Sequence, residues 1–197
     1  MEKGKRMIQS FEVTQCVKIG SKEIVVGIDE NAADGNKYMC CFVDRNDLFE
    51  LYNDAFVSSN YPEIIEIFGE RVNNAAIDFM NETKGMSKQV LTEQDCIPDN
   101  YKNNIQGKIV VRNAKELRPE YQRAEYQLYF VTGGFGSYGN ARGSAVFCTN
   151  IHSGKDVRIE RMEVVGVIKP ECLPEWAKET ADRLKKDYKR KHKEVER

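Results

Sequence analysis

Residues 118–170, RPEYQRAEYQLYFVTGGFGSYGNARGSAVFCTNIHSGKDVRIERMEVVGVIKP, hold seven of the chain's 14 glycines beside a dense run of aromatic and β-branched residues. That mixture favours short strands joined by tight bends. β-Branched and aromatic side chains suit a pleated surface, and glycine enters backbone regions closed to other residues. Residues 126–131 (YQLYFV) read as a strand ended by Gly133-Gly134, and 144–150 as the next. Two more follow at 157–161 and 164–168, with Gly154 near a hairpin tip and Pro170 stopping the last ladder. Lys108-Ile109-Val110-Val111 supplies a fifth. Five short strands with no helix between them predict a small, strongly bent, SH3-like β-barrel.

The first 95 residues carry a different pattern. After a frayed lead-in over 1–10, residues 11–19 and 23–28 alternate on either side of Gly20-Ser21, and 37–43 completes three antiparallel strands. The spacing of Leu48, Phe49, Leu51, Tyr52, Ala55 and Phe56 predicts a helix capped by Asn46 or Asp47. Pro62 opens a second helix whose apolar face runs from Ile64 to Phe79 and which closes at Gly85. A third helix starts near Pro174, where Trp176, Ala177, Ala181, Leu184 and Tyr188 form a narrow apolar stripe, and its basic end is expected to fray or project. The fold class is therefore α+β: an antiparallel N-terminal sheet with two helices, an SH3-like barrel and a C-terminal helix. The expected divisions are 1–95, a connector at 96–106, the barrel at 107–172 and a basic helix at 173–197.

Composition narrows the function classes. With 31% charged and 41% hydrophobic residues, the chain has what a packed core needs. The formal net charge is only −1, yet residues 178–197 carry nine Lys or Arg against five Asp or Glu, so a mildly acidic body ends in a basic tail. No apolar run reaches the ~18 residues that span a bilayer, and MEKGKRMIQSF lacks a secretory apolar core; the expected location is cytoplasmic. The six cysteines show no CxxC spacing and read as free thiols.

The chemistry-bearing candidates converge on the glycine loop. Gly133, Gly134, Phe135, Tyr138 and Arg142, with Arg118, Tyr121 and Arg123 upstream, place aromatic rings and guanidiniums together, the combination that stacks unpaired bases and meets phosphates or grips a peptide. As a phosphate cradle the loop lacks the Gly-Lys-Ser/Thr ending and leads into a strand instead of a helix. Cys148 and His152 sit four apart across a strand end, a poor geometry for a nucleophile and its base. The oxygen-rich loop at 29–36 lacks the spacing of a calcium-binding loop. No catalytic residue, metal ligand or cofactor follows from these residues.

The runs LRPEY (117–121), EYQL (125–128), GGFG (133–136), ARG (141–143) and GVIKPE (166–171) resemble a domain of gut Firmicutes proteins that accompany conjugative or other mobile elements. The resemblance spans about 107–180. It implies a bacterial, mobile-DNA context and, as the family has no established activity, no catalytic role. The expectation is a non-enzymatic accessory or regulatory binding module that engages a protein or single-stranded nucleic acid through 133–143, with the basic segment 185–193 meeting an anionic partner. The alternative is a small enzyme acting on a nucleotide or phosphorylated substrate, with the glycine loop as its anion site. Oligomeric state is left open.

Overall fold

The computed structural model describes residues 5–33, 35–45 and 49–195, with side chains as far as 191. The chain is α+β and divides into two compact units, Met1–Gly85 and Met86–Arg197. The boundary thus falls ten residues before the expected one. Leu91, expected in the N-terminal division, is buried in the second unit's core, and the expected connector begins with a strand, Cys96–Pro98.

The first unit is an antiparallel meander in the order β1 (Met7–Ile8), β2 (Phe11–Ile19), β3 (Lys22–Ile28), β4 (Tyr38–Arg45) and β5 (Glu50–Ser58). Part of the expected lead-in is structural: Ile8 is buried, and Arg6 donates to the Glu23 carboxylate on β3. β3 is covered on both faces. Ile24 and Val26 pack with Cys40 against Ile64 and Ala75 of α1 (Tyr61–Glu82), while Val25 joins Met39, Cys41 and Val43 on the other side. Pro62 stands in the first turn of α1, where its missing N–H costs nothing.

The helix expected through Leu51, Tyr52, Ala55 and Phe56 is instead β5; its proposed caps, Asn46 and Asp47, lie outside the described residues. The reason is a bulge. Pairing with β4 shifts register between Cys40 and Phe42, and Asp54 opposite the shift takes the left-handed conformation (φ 51°). The extra residue breaks the period-2 signal and spaces the apolar residues as a helix would. Arg71 of α1 holds the bulge, donating to the carbonyls of Cys40 (3.1 Å) and Asp54 (2.7 Å) with its guanidinium 4.9 Å from the Phe42 ring centre.

The second unit is a six-stranded antiparallel sheet. Its strands are β6 (Cys96–Pro98), β7 (Ile109–Arg112), β8 (Leu128–Gly133), β9 (Ala145–Asn150), β10 (Asp156–Glu160) and β11 (Val164–Ile168), in spatial order β10-β9-β8-β7-β11-β6. This pairing runs in one line from β10 to β6. Tyr126 and Gln127, expected in the strand, belong to the short helix α2 (Ala124–Gln127). Gln127 is fully buried because its amide replaces a strand partner: Oε1 accepts from the Leu91 N–H at 2.8 Å, and Nε2 donates to the carbonyls of Leu91 and Arg112.

Alternation along β8 makes two cores. Leu128 and Phe130 face one side, with Ala177 and Ala181 of α3 (Glu175–Val195) fully buried in the same cluster; Tyr129 and Val131 face the other, with Val146, Cys148 and Ile159. Farther along α3, Tyr188 packs edge-on to Phe130 at 5.7 Å. The helix continues through Val195, so the basic end is helical, not frayed.

Candidate functional site

The glycine loop follows β8, and its first half is closely packed and hydrogen-bonded. Residues Phe135–Ser137 form a single 3-10 turn, with Gly136 and Ser137 buried. A Cβ on Gly136 would overlap the Ser144 carbonyl oxygen, and one on Gly139 would overlap that of Lys102. These glycines permit close backbone approach. Gly134 adds a positive φ of 94° and lies against Ala145 and Val146. Backbone bonds then sew the loop to residues 101–105: the Ile105 N–H donates to the Ser137 carbonyl, and the Asn140 N–H to the Tyr101 carbonyl.

Arg161 is the pin beneath. It follows β10 directly and is 2% exposed. Its guanidinium donates to both carboxylate oxygens of Asp99 (2.5 and 2.6 Å) and to the carbonyls of Gly136 (2.7 Å) and Asn103 (3.0 Å). Asp99 follows β6 directly, so one residue pair ties the ends of the two outermost strands beneath the loop. A planar five-donor fork suits a carboxylate flanked by carbonyls in a way that a lysine would not.

What this scaffold holds outward is aromatic. Phe135 is 78% exposed, Tyr138 49% and Tyr101 53%, with Arg142 and Lys102 exposed beside them. Tyr101, absent from the sequence-based set, also lies over the Arg161 guanidinium at 5.6 Å. Phe147 was missed too: it pairs with Gly133 and Arg158 across the sheet and stands exposed between buried Val146 and Cys148, as strict alternation along β9 requires. Beside it, between the sheet and α3, runs a groove of about 460 Å³ lined by Phe130, Thr132, Thr149, Asp156, Tyr188 and Lys191.

The upstream part of the expected site lies elsewhere. Arg118, Tyr121 and Arg123 precede α2 at the start of β8, whereas Phe135 to Arg142 follow its end. Arg118 sits 4.9 Å over the Tyr121 ring and within 3.2 Å of Glu120, and Tyr121 meets Tyr126 edge-on at 4.7 Å. The eight candidates therefore form two groups at opposite ends of one strand.

The nucleophile candidates are equally separated. Cys148 is buried, and that burial pushes its thiol up to about 12. His152 is exposed and packs edge-on against Trp176 at 5.7 Å. Burial likewise raises Cys41 and Cys96 to about 11, away from the thiolate range a nucleophile needs. Among the described residues no group of three or more His, Cys, Asp or Glu side chains could hold a metal ion. Nor does any described helix have the length and apolarity to cross a membrane.

No protein-family model matches the chain, and neither a curated protein nor a solved structure does.

Proposed function

We propose that the second unit is a non-enzymatic binding module that engages its partner through Phe135, Tyr138 and Arg142, extended by Tyr101 and Phe147. In this reading the six-stranded sheet, its outermost strands tied by Arg161 and Asp99, serves as an SH3-like platform, and the partner is a single-stranded nucleic acid or a protein segment. The observation that carries the reading is Phe135: a phenylalanine 78% exposed on a loop whose backbone is packed, hydrogen-bonded and pinned by a buried ion pair. An outward-facing aromatic on a packed backbone keeps its apolar surface in water until something covers it, and the backbone beneath it is already ordered when that happens.

Nucleic acid is the first partner to test. Exposed Phe135, Tyr138 and Tyr101 offer stacking faces, Arg142 and Lys102 offer phosphate contacts, and basic α3 lies on the same unit. The mobile-element setting, an accessory or regulatory role in a bacterial cytoplasm, rests on the sequence resemblance alone. The test is fluorescence anisotropy with labelled single- and double-stranded DNA and RNA at two salt concentrations, alongside a peptide-display panel. The reading requires that Phe135→Ala, Tyr138→Ala and Arg142→Ala together abolish whatever binding is found while the protein stays folded. Full-strength binding by the folded triple variant overturns it.

A further inference from the structure

The two sheets have four outer strands, and three of them are protected against pairing. β1 is two residues long and β6 three, while β10 carries alternating charges at Asp156, Arg158 and Glu160. Short strands and edge charges are the usual means by which proteins keep a strand from recruiting another chain. β5 has neither. It is nine residues long, contains no Lys, Arg or Pro, and is exposed from Leu51 through Val57. Its large apolar side chains stand in water: Leu51 at 52%, Tyr52 at 37%, Phe56 at 38% and Val57 at 43%.

The register with β4 shows how these four are arranged. Tyr52 opposes Val43 and Val57 opposes Met39, both on the face away from α1; Phe56 opposes Cys40 and Leu51 opposes Asp44, both on the α1 face. Each face of β5 thus carries one apolar residue before the bulge at Asp54 and one after it. Antiparallel pairing of β5 with a second β5 about a twofold axis between residues 54 and 55 sets Tyr52 directly opposite the partner's Val57 on one face; on the other, Leu51 and the partner's Phe56 are diagonal neighbours, within reach of large side chains. Without the bulge, residues an odd distance apart would point to opposite faces and this match would fail. Twofold symmetry makes every such contact twice.

We infer that β5 is a homodimer interface, joining two five-stranded sheets edge to edge into one ten-stranded sheet. The charge pattern is consistent with this occupant. Glu50, at the end of the strand, is neutralised within its own chain by Arg45 at 2.5 Å and Arg6 at 3.5 Å. Asp54, nearest the axis, is the one carboxylate that the two copies bring together.

Sedimentation velocity on the full chain over a broad concentration range tests the inference. The expected result is a concentration-dependent dimer. Val57→Lys should weaken it about a hundredfold, since putting a charge in place of an apolar side chain costs about tenfold at each site and the twofold axis repeats the site. Asp54→Asn should tighten it, because asparagine keeps the left-handed conformation and removes the like-charge pair. Circular dichroism of both variants should match the parent. A chain that is monomeric at every concentration, with Asp54→Asn also monomeric, overturns the inference. So does a dimer indifferent to Val57→Lys.

Discussion

Arg161 and Asp99 lie 62 residues apart in sequence and form a two-pronged ion pair in which each side chain is 3% exposed. The pair sits where three loops meet, and two carbonyls from the flanking loops take two of the three remaining guanidinium donors. Removing one partner strands the other charge away from water. Asp99→Ala should therefore destabilise the second unit by about 3–5 kcal/mol, well above a surface substitution. Denaturant titration followed by near-ultraviolet circular dichroism measures it; a loss under about 1 kcal/mol would mean that water reaches the guanidinium.

The exposed rings should separate binding from stability. Phe135→Ala and Tyr138→Ala remove side chains with large solvent-facing areas, so each should move unfolding free energy by no more than about 0.5 kcal/mol while weakening partner binding. Gly136→Ala should behave in the opposite sense. Its methyl group would press on the Ser144 backbone, and overpacking of this kind costs about 1–3 kcal/mol. Thermal melts of the three variants side by side decide between a recognition role for the rings and a purely structural role for the whole loop.

Arg71 offers a similar test in the first unit. It donates to the Asp54 carbonyl in the β5 bulge, and it spans from helix to strand to do so. Arg71→Met keeps much of the aliphatic stem over Phe42 but takes this donor from two carbonyls. The expected loss is about 1–3 kcal/mol, with amide hydrogen exchange accelerated first around residues 53–57. Uniform exchange across the sheet would show that the bulge holds without the arginine.

How much of this was legible beforehand depended on whether the signal was local. The pairing of 11–19 with 23–28 around Gly20, the helix opened by Pro62 and the strands at 109–112, 145–150 and 164–168 all follow from neighbouring residues, and the structure has them. β5 was misread because one extra residue at Asp54 gave a strand the spacing of a helix. Tyr126-Gln127 read as strand because its residue types suit one; Gln127 leaves the ladder to satisfy Leu91, 36 positions away. In the candidate site, Phe135, Tyr138 and Arg142 emerged from composition, while Tyr101 and the Arg161–Asp99 pin depend on contacts that no spacing encodes.

Acidification should act on the first unit through Glu23. This carboxylate is buried, and burial alone would raise its pKa. Hydrogen bonds from Arg6, Cys16 and Lys18, with the Arg6 charge, outweigh that effect and hold it below the usual carboxylate value. A group depressed in the folded state contributes stability that is complete above its unfolded pKa and is lost as pH falls through its folded pKa. Stability of the first unit should therefore be flat from neutrality to about pH 5 and decline through the range below about pH 4, the ordinary glutamate value. Glu23→Gln should lower stability at neutral pH and flatten the acid decline, because an amide takes up no proton there. Chemical denaturation at pH 7, 5 and 3 on the parent and the variant reads both effects, and parallel pH profiles would show that carboxylates other than Glu23 set the acid limit.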